Sequence, residues 1–309
     1  MPSILITGAS GFVGAHAARE AQRRRAGVRL MTHRRSLPCV YPGAQLVRAD
    51  LTDPGSLRGV CDGVDVLLHC AAQIGGSAEA NEAVNARGTA ALVAEARRAG
   101  VRRIVQLSTA SVYGRGTFRG HRPEELTRNP GSVTSRTRAA AEDAVLAAGG
   151  VVLRPHLVFG EGDIWVGPSL AGLLRALPGM VAGWLCRASV ITAPDLAGLL
   201  VATALAPDAA LTVPVYHAAH PVPVPLSSAL QAIADCAGIP WPRDVLTVEG
   251  AKAILTAKGI PPDTLDILTT DHYFEADTLW SDLRQSPSDE FTTCLRRAEP
   301  WYRSTLTTA

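Results

Sequence analysis

Lysine is nearly missing from this 309-residue chain, whose basic side chains are almost all arginines. Lys and Arg together number 30, and only Lys252 and Lys258 are lysines. No lysine precedes residue 252, and neither lysine has a tyrosine four residues before it. The sequence therefore excludes a catalytic Tyr-x-x-x-Lys pair anywhere in the chain.

A strong charge imbalance and paired cysteines are also missing. The formal net charge is only +2, which gives no electrostatic basis for binding nucleic acid or an anionic membrane. The six cysteines form no Cys-x-x-Cys pair, so we predict no metal site and expect reduced thiols in a cytoplasmic protein. The apolar stretch 166–186 is interrupted by Pro168, Arg175 and Pro178, which argues against a membrane span. Because the first predicted strand starts within three residues, we expect no signal peptide.

Glycine and apolar residues, by contrast, mark the start of the chain. Ile4–Ile6 is an apolar run that predicts a buried parallel strand, and a helical pattern follows from Phe12 to about Arg25. Between them, glycines at positions 8, 11 and 14 allow a tight turn and leave room for a pyrophosphate at the helix N-terminus. A glycine-rich turn without a ligand is the other interpretation. The residues predicted to bind a dinucleotide here are Gly8, Ser10, Gly11, Phe12, Val13 and Gly14.

The second predicted strand, Val28–Thr32, ends in His33, Arg34 and Arg35. In a unit that binds NAD an acidic residue at this strand end holds the ribose 2′-hydroxyl, but no Asp or Glu stands between positions 21 and 49. A guanidinium fork suits a 2′-phosphate, so we predict NADPH as the cofactor. Arg34 is the first predicted contact and Arg35 the second, with His33 beside them. Solvated surface arginines are the other interpretation.

The Gly-x-x-Gly-x-x-Gly spacing after Thr7 resembles the extended short-chain dehydrogenase/reductase family, also called the NAD-dependent epimerase/dehydratase family. The resemblance implies an α/β fold, with a Rossmann-type doubly wound parallel sheet and a small C-terminal substrate-binding domain. We expect residues 1–160 to form the NADP-binding domain, with 188–218 returning to it. Residues 161–309 are expected to form mainly the substrate-binding domain.

The resemblance assigns further cofactor contacts by position. Asp50 takes the family's contact with the adenine amine. His69-Cys70-Ala71-Ala72 matches the family's His-x-Ala-Ala beside the ribose, with His69 as a packed structural side chain. Segment 154–160 resembles the family's Arg-Pro-x-x-Val-Tyr-Gly, which lines the nicotinamide. The contacts implied in this way are Asp50, Leu51, Cys70, Ala71, Ala72, Leu107, Pro155, Leu157 and Val158.

A further segment, 108–114, resembles the family's Ser-Ser/Thr-x-x-Val-Tyr-Gly. The resemblance implies that Thr109 hydrogen-bonds the reacting carbonyl, whereas Tyr113 belongs to the structural part of the motif. The family next has Tyr-x-x-x-Lys, between Pro-x-Ser and Ala-Glu. Both flanks are present here, and they place Thr134 at the tyrosine position and Arg138 at the lysine position.

This replacement removes the chemistry of the pair. A phenol, of pKa about 10, exchanges a proton near neutral pH when a lysine lowers that pKa. A threonine alcohol is a far weaker acid, and arginine stays charged and cannot relay a proton. Arg138 can still hold the nicotinamide ribose and add positive charge near a developing alkoxide. By their positions in the family's motifs, the candidate catalytic residues are Thr109, Thr134 and Arg138. Because Thr134 and Arg138 replace the tyrosine and lysine, we expect cofactor binding without a general acid from the protein.

Two features of the C-terminal half bear on the substrate. His156 stands in the nicotinamide segment, where it is either a proton donor or, as we favour, a positioning or packing group. Apolar side chains follow, with Arg175 and Arg187 the only Arg or Lys residues between positions 155 and 242. A pocket wall and core packing both explain these apolar side chains. They are Trp165, Leu170, Leu173, Leu174, Leu177, Met180 and Trp184.

Together these features predict an NADPH-dependent ketoreductase that acts on a bulky, flat, apolar ketone such as an aromatic polyketide. The missing pair, the apolar segment and the arginine-rich chain resemble the atypical ketoreductases of angucyclinone tailoring in antibiotic biosynthesis. Because Thr134 and Arg138 replace the phenol and its lysine, we predict that a phenol on the substrate supplies the proton. The alternatives are a non-catalytic NADP(H)-sensing regulator and a nucleotide-sugar epimerase or dehydratase, and the lost pair argues against the latter.

Overall fold

The computed structural model describes residues 2–306. Met1 and residues 307–309, which lie at the outer ends of the two predicted domains, fall outside the described residues. The strands are β1 (Ser3–Thr7), β2 (Gly27–Thr32), β3 (Gln45–Arg48), β4 (Val66–His69), β5 (Arg103–Leu107), β6 (Phe118–His121), β7 (Val151–Arg154), β8 (Leu157–Phe159), β9 (Met180–Val181), β10 (Arg187–Ala188), β11 (Val190–Thr192), β12 (Val215–His217), β13 (Val224–Pro225), β14 (Val245–Leu246) and β15 (His272–Phe274).

Eleven α-helices are described within residues 2–306. They are α1 (Phe12–Arg23), α2 (Ala78–Asn81), α3 (Thr89–Arg98), α4 (Val133–Ala147), α5 (Val166–Ala176), α6 (Ala193–Leu205), α7 (Leu226–Ala237), α8 (Val248–Ala257), α9 (Asp277–Asp282), α10 (Phe291–Arg297) and α11 (Glu299–Leu306). A π-helical stretch, Glu82–Gly88, joins α2 to α3. Short 3₁₀ turns span Ala110–Tyr113, Pro123–Glu125, Asp208–Ala210 and Pro262–Leu265.

Seven parallel strands form the main sheet, in the order β12-β7-β5-β4-β1-β2-β3. The order reverses at β1, so β1 and β4 flank the crevice where ligands bind in such sheets. This confirms the predicted Rossmann-type doubly wound fold. The central strand β1 is fully buried from Ile4 to Ile6, which explains why its sequence is a continuous apolar run rather than an alternating one.

Side chains alternate along a strand, so successive residues of β1 contact helices on opposite faces of the sheet. Ile4 and Ile6 pack with α1 and α6 on one face. Leu5 packs on the other face, in a cluster that includes α3 and Val145 of α4. Strand β12 is an edge strand of the main sheet, and α6 packs on one face of that sheet. Both elements, which lie within residues 193–217, therefore belong to the main-sheet unit.

A second apolar core is built from α5, α7, α8, α10 and α11. Five of the apolar residues singled out above are buried in it, so core packing rather than a pocket wall accounts for them: Leu170, Leu173, Leu174, Leu177 and Trp184. Trp165 is 46% exposed and Met180 is half-buried. Within residues 2–306, no helix has both the length and the apolar character that crossing a bilayer requires.

Candidate active site

The glycine loop between β1 and α1 is closed so tightly that side chains are excluded from it. Gly8 has φ +73°, and an added Cβ would lie 2.7 Å from the backbone nitrogen of Ala71. A Cβ on Gly14 would lie 2.1 Å from the carbonyl oxygen of Gly8. Gly11 caps α1 without a side-chain hydrogen bond, and the first turn carries no acidic residue. The helix N-terminus therefore offers backbone N–H groups and a positive dipole end to an anion, which fits the pyrophosphate of a dinucleotide.

The end of β2 supplies positive charge at the predicted 2′-phosphate position. Asp50 is occupied by protein groups: Oδ1 accepts from the backbone nitrogen and the hydroxyl of Thr52, both at 2.8 Å, and Oδ2 lies 3.0 Å from Nε2 of His33. Burial opposes ionisation of Asp50, but the Thr52 hydrogen bonds and the charges of His33 and Arg34 leave its pKa below the usual value. Among residues 2–306, Arg34 and Arg35 are exposed and make no ion pair, so both guanidinium groups are available.

His69, at the end of β4, is a structural side chain in this geometry. Its Nδ1 lies 2.8 Å from the hydroxyl of Thr7, and its Nε2 lies 2.9 Å from the hydroxyl of Thr89. Burial lowers the pKa of His69 to about 3, so it is neutral at pH 7. The Thr7 hydroxyl also accepts from the backbone nitrogen of Ala71 at 3.1 Å, which holds the Cys70-Ala71-Ala72 turn against the glycine loop.

Ser108 and Thr109 are the two residues that follow the end of β5. The Thr109 hydroxyl accepts from the backbone nitrogen of Ser111 at 3.1 Å and thereby caps the 3₁₀ turn Ala110–Tyr113. The backbone nitrogen of Ala110 donates to the carbonyl of Pro155 at 2.8 Å, so the predicted nicotinamide segment is tied to this turn. Thr109 is half-buried and lies at the carboxyl edge of the sheet, where its hydroxyl can reach a bound ligand.

Behind Thr109, a buried polar network fixes the end of the sheet. Glu142 is fully buried, and its carboxylate accepts from Ser108 and from Arg154, whose Nε lies at 2.9 Å. Arg154 also donates to the hydroxyl of Tyr113 at 2.7 Å, and that hydroxyl lies 2.7 Å from Nε2 of His217. Burial raises the pKa of Tyr113. With its hydroxyl engaged twice and its ring 2% exposed, Tyr113 has no access to a substrate.

Helix α4 presents Thr134 and Arg138 one turn apart. Ser132 and Ser135 form a capping box that fixes the start of the helix. The Thr134 hydroxyl donates to Oδ1 of Asn81 at 2.9 Å. Arg138 is buried and donates to the carbonyl of Leu107, while its Nε has no hydrogen-bond partner among the described residues. A buried guanidinium N–H without a partner is costly, so a ligand that accepts from it gains free energy.

His156 stacks on His272, with ring centroids 4.5 Å apart and an interplanar angle of 28°. Phe274 lies edge-on to His156 at 6.0 Å. Burial and the neighbouring His272 hold the pKa of His156 well below 6.5, and burial lowers the pKa of His272 to about 4. His156 is therefore neutral at pH 7 and lacks the imidazolium proton that a general acid donates, which favours a positioning or packing role.

Sequence reasoning missed the side chains that surround Thr134 and His156. Asn81 contacts Thr134 across 53 residues, and His272 contacts His156 across more than 100 residues. No local motif signals such pairs. Asn85 begins the sequence Asn-x-x-Gly-Thr, which by itself names no partner for the asparagine side chain. Within residues 2–306, no group of three or more His, Cys, Asp or Glu side chains is placed to hold a metal ion.

Comparison with known proteins gives one family, and reductases are among the relatives. The model of the NAD-dependent epimerase/dehydratase family matches residues 4–177. A 2-alkyl-3-oxoalkanoate reductase of Stenotrophomonas maltophilia is 30% identical over 326 residues, covering 95% of this chain and 97% of that protein. The 4-hydroxy-2-methyl-3-oxo-4-farnesyl-3,4-dihydroquinoline-1-oxide ketoreductase of Stigmatella aurantiaca is 31% identical over 183 residues, covering 55% of this chain and 54% of that protein.

Among solved structures, the enzyme WbmH of Bordetella bronchiseptica in complex with NAD⁺ is similar. The TM-score is 0.79 with 18% identity, over 98% of this chain and 99% of that one. At this identity the likeness shows the fold alone. It agrees with the doubly wound sheet described above.

Proposed function

Because the chain belongs to the NAD-dependent epimerase/dehydratase family and is an NAD(P)-dependent oxidoreductase, we propose that it is an NADPH-dependent ketoreductase acting on an aromatic polyketide. Its substrate is a bulky, flat, apolar ketone of the angucyclinone type, and the atypical simocyclinone 7-ketoreductase is the activity it resembles. The observation that carries this proposal is the pair Thr134 and Arg138 on α4, which offers a ribose-binding cation but no acid. Two reductase relatives, one of them a ketoreductase, support the reaction class.

The residues present fit a bound NADPH, which would supply a hydride to the carbonyl carbon. The glycine loop and the N-terminus of α1 would hold the pyrophosphate, since Gly8 and Gly14 leave the backbone bare. Arg34 and Arg35 would hold the 2′-phosphate. Arg138 would donate its unpartnered Nε–H to the nicotinamide ribose.

The protein side of the reaction is then one of binding, orientation and electrostatics. Thr109, whose hydroxyl donates to Oγ of Ser111 at 3.1 Å, would turn that hydrogen to the carbonyl oxygen of the substrate at the carboxyl edge of the sheet. The positive charge of Arg138 stabilises the negative charge that develops on that oxygen, and its burial strengthens the effect. Neither side chain loses a proton at neutral pH.

The proton comes from the substrate itself. Hydride addition turns the ketone into an alkoxide, which takes the proton of a phenol placed ortho or peri to it on the same ring system. The phenolate that remains regains a proton from water. A phenol has a pKa of about 10, like the missing tyrosine, and within one molecule it is already within hydrogen-bond reach.

The test compares a natural hydroxy-ketone with its O-methyl ether under saturating NADPH. We expect a fall in kcat of about a hundredfold or more for the ether, the size of a lost general acid, with NADPH binding unchanged. Equal rates for the two ketones at matched binding would refute substrate-assisted protonation and would leave water as the source of the proton. Turnover of any ketone distinguishes this proposal from a regulator that only senses NADP(H).

A nucleotide-sugar substrate is disfavoured by the two cations of the segment between positions 155 and 242, Arg175 and Arg187. Such a substrate needs free Arg or Lys side chains for its diphosphate. Arg175 donates to the carbonyl of Leu306. Arg187 stacks over the ring of Tyr273 at 5.8 Å and donates to the carbonyl of Pro223 at 3.2 Å. Both side chains are thus already held by the protein.

A further inference from the structure

Residues 73–77, Gln-Ile-Gly-Gly-Ser, form the loop that leaves the carboxyl end of β4 after Ala72. In a doubly wound sheet this edge is where cofactor and substrate meet. Gly75 and Gly76 have φ of +70° and +78°, so the backbone turns back sharply there. The turn leaves Ile74 with 45% of its surface exposed, as an apolar side chain on the rim of the site.

Two buried asparagines hold this loop by its backbone. Asn85 brackets Gln73, because its Oδ1 accepts from the backbone nitrogen at 2.8 Å and its Nδ2 donates to the carbonyl at 2.9 Å. Asn81 donates from Nδ2 to the carbonyls of Gly75, at 2.7 Å, and Ser77, at 3.0 Å. Asn81 is 1% exposed and Asn85 is 2% exposed, so water does not replace these bonds at no cost. The π-helical stretch that begins after Asn81 contains Asn85.

Thr134 completes the arrangement from the opposite helix. Its Oγ1 donates to Oδ1 of Asn81 at 2.9 Å and accepts from the backbone nitrogen of Gly75 at 3.4 Å. The first bond, together with one from Nδ2 of Asn85 to the same oxygen at 3.3 Å, orients the Asn81 carboxamide so that its NH₂ group faces the loop. A tyrosine phenol oxygen lies several bonds farther from the backbone and makes neither contact from this position.

We propose that Thr134 is a positioning residue: its hydroxyl, directly and through Asn81, fixes the loop 73–77 as the substrate-facing wall of the site. The inference rests on the proposed ketoreductase function for its kinetic consequence only. In this protein the family's acid position has become an attachment point for the loop. The loop in turn presents Ile74 to an apolar substrate.

The experiment compares Thr134→Val, which keeps the shape and removes the hydroxyl, with Thr134→Ser, which keeps the hydroxyl. Hydrogen exchange of the loop amides in the full-length protein without substrate gives a readout independent of activity. We expect the loop of Thr134→Val to exchange about fivefold faster, the effect of one lost hydrogen bond, and Thr134→Ser to match the parent. With a hydroxy-ketone, KM should rise about fivefold in Thr134→Val. Its kcat should stay within a factor of about two of the parent, with the same pH profile.

Unchanged exchange and unchanged KM in Thr134→Val would overturn the proposal. So would a loss of kcat of about a thousandfold in Thr134→Val that Thr134→Ser rescues, because Thr134 would then be a proton donor. If the parent protein reduces no ketone, the proposed function fails, whereas the exchange rates still decide whether Thr134 fixes the loop. A general fall in thermal stability in both variants separates misfolding from either result.

Discussion

Cofactor choice rests on Arg34, and its replacement by alanine gives the most direct measure of it. Arg34 is exposed at the end of β2 and makes no ion pair with another described side chain. Asp50, whose pKa the charge of Arg34 helps to lower, is already engaged by His33 and Thr52. The guanidinium group therefore has no bond within the protein to give up when it meets a 2′-phosphate.

The magnitude follows from the strength of a charge-assisted hydrogen bond. Such a bond contributes about 1.5–3 kcal/mol, and the exposure of Arg34 places it at the lower end. A loss of about 1.4 kcal/mol is a tenfold change in Kd. Arg34→Ala should thus weaken NADPH binding by about tenfold and leave NADH binding within a factor of about two, because NADH lacks the phosphate.

Titration of cofactor fluorescence, or calorimetry, gives both dissociation constants. The matched control is Arg97→Ala, which removes an exposed arginine from the last turn of α3. That turn precedes the amino end of β5, whereas the cofactor site lies at the carboxyl ends of the strands. That control keeps the same net charge change and should alter neither constant. Equal affinity of the parent protein for NADPH and NADH would refute the reasoning, as would a Kd for NADPH that rises equally in Arg34→Ala and Arg97→Ala.

Two further predictions concern the glycine loop and the buried histidines. Gly14→Ala brings a Cβ within 2.1 Å of the Gly8 carbonyl oxygen and should raise the Kd for NADPH by at least about tenfold. Gly172→Ala on α5, whose Cβ would meet no described atom within 4 Å apart from its chain neighbours and the backbone of its own helix, should leave that Kd unchanged. Equal Kd values in the two variants would contradict the close approach at Gly14. His272 has a pKa of about 4, below its unfolded value of 6.5, so the unfolded chain binds the extra proton between these values and stability falls as the pH falls through that window. His272→Phe should reduce this fall by up to about 1.4 kcal/mol per pH unit, measured by urea unfolding between about pH 7 and pH 4.5, and an unchanged slope would show that His272 titrates normally in the fold.

The N-terminal half of the fold was predictable because its signals are local. The apolar run at β1, the glycines that follow it and the strand ends along the sheet each depend on a few adjacent residues. The apolar residues after position 165 were ambiguous, because a buried core and a pocket wall have the same composition. Only the packing around Leu170 and Trp184 decides for the core.

The sequence indicates which residues occupy the motif positions of the candidate site, but not which side chains they contact. Flanking residues fix Thr134 and Arg138 in register, so their identities could be read directly. Their partners depend on the tertiary fold: Asn81 reaches Thr134 from another helix, and Leu107 accepts from Arg138 at the end of β5. The role of Thr134 in holding a loop follows from those contacts, which no spacing in the sequence encodes.

The buried ion pair of Glu142 and Arg154 has a consequence for how this site can evolve. Glu142 lies one turn beyond Arg138 on α4, and its bonds to Arg154 and Ser108 lock that helix against the sheet at a fixed rotation. Breaking such a buried pair costs several kcal/mol, so the helix keeps its alignment whatever side chains occupy the turn before it. Different side chains at positions 134 and 138 can therefore change the chemistry of the site while helix α4 keeps its position on the sheet. The alignment of Thr134 and Arg138 with the site thus depends on Glu142 and Arg154 rather than on Thr134 and Arg138 themselves.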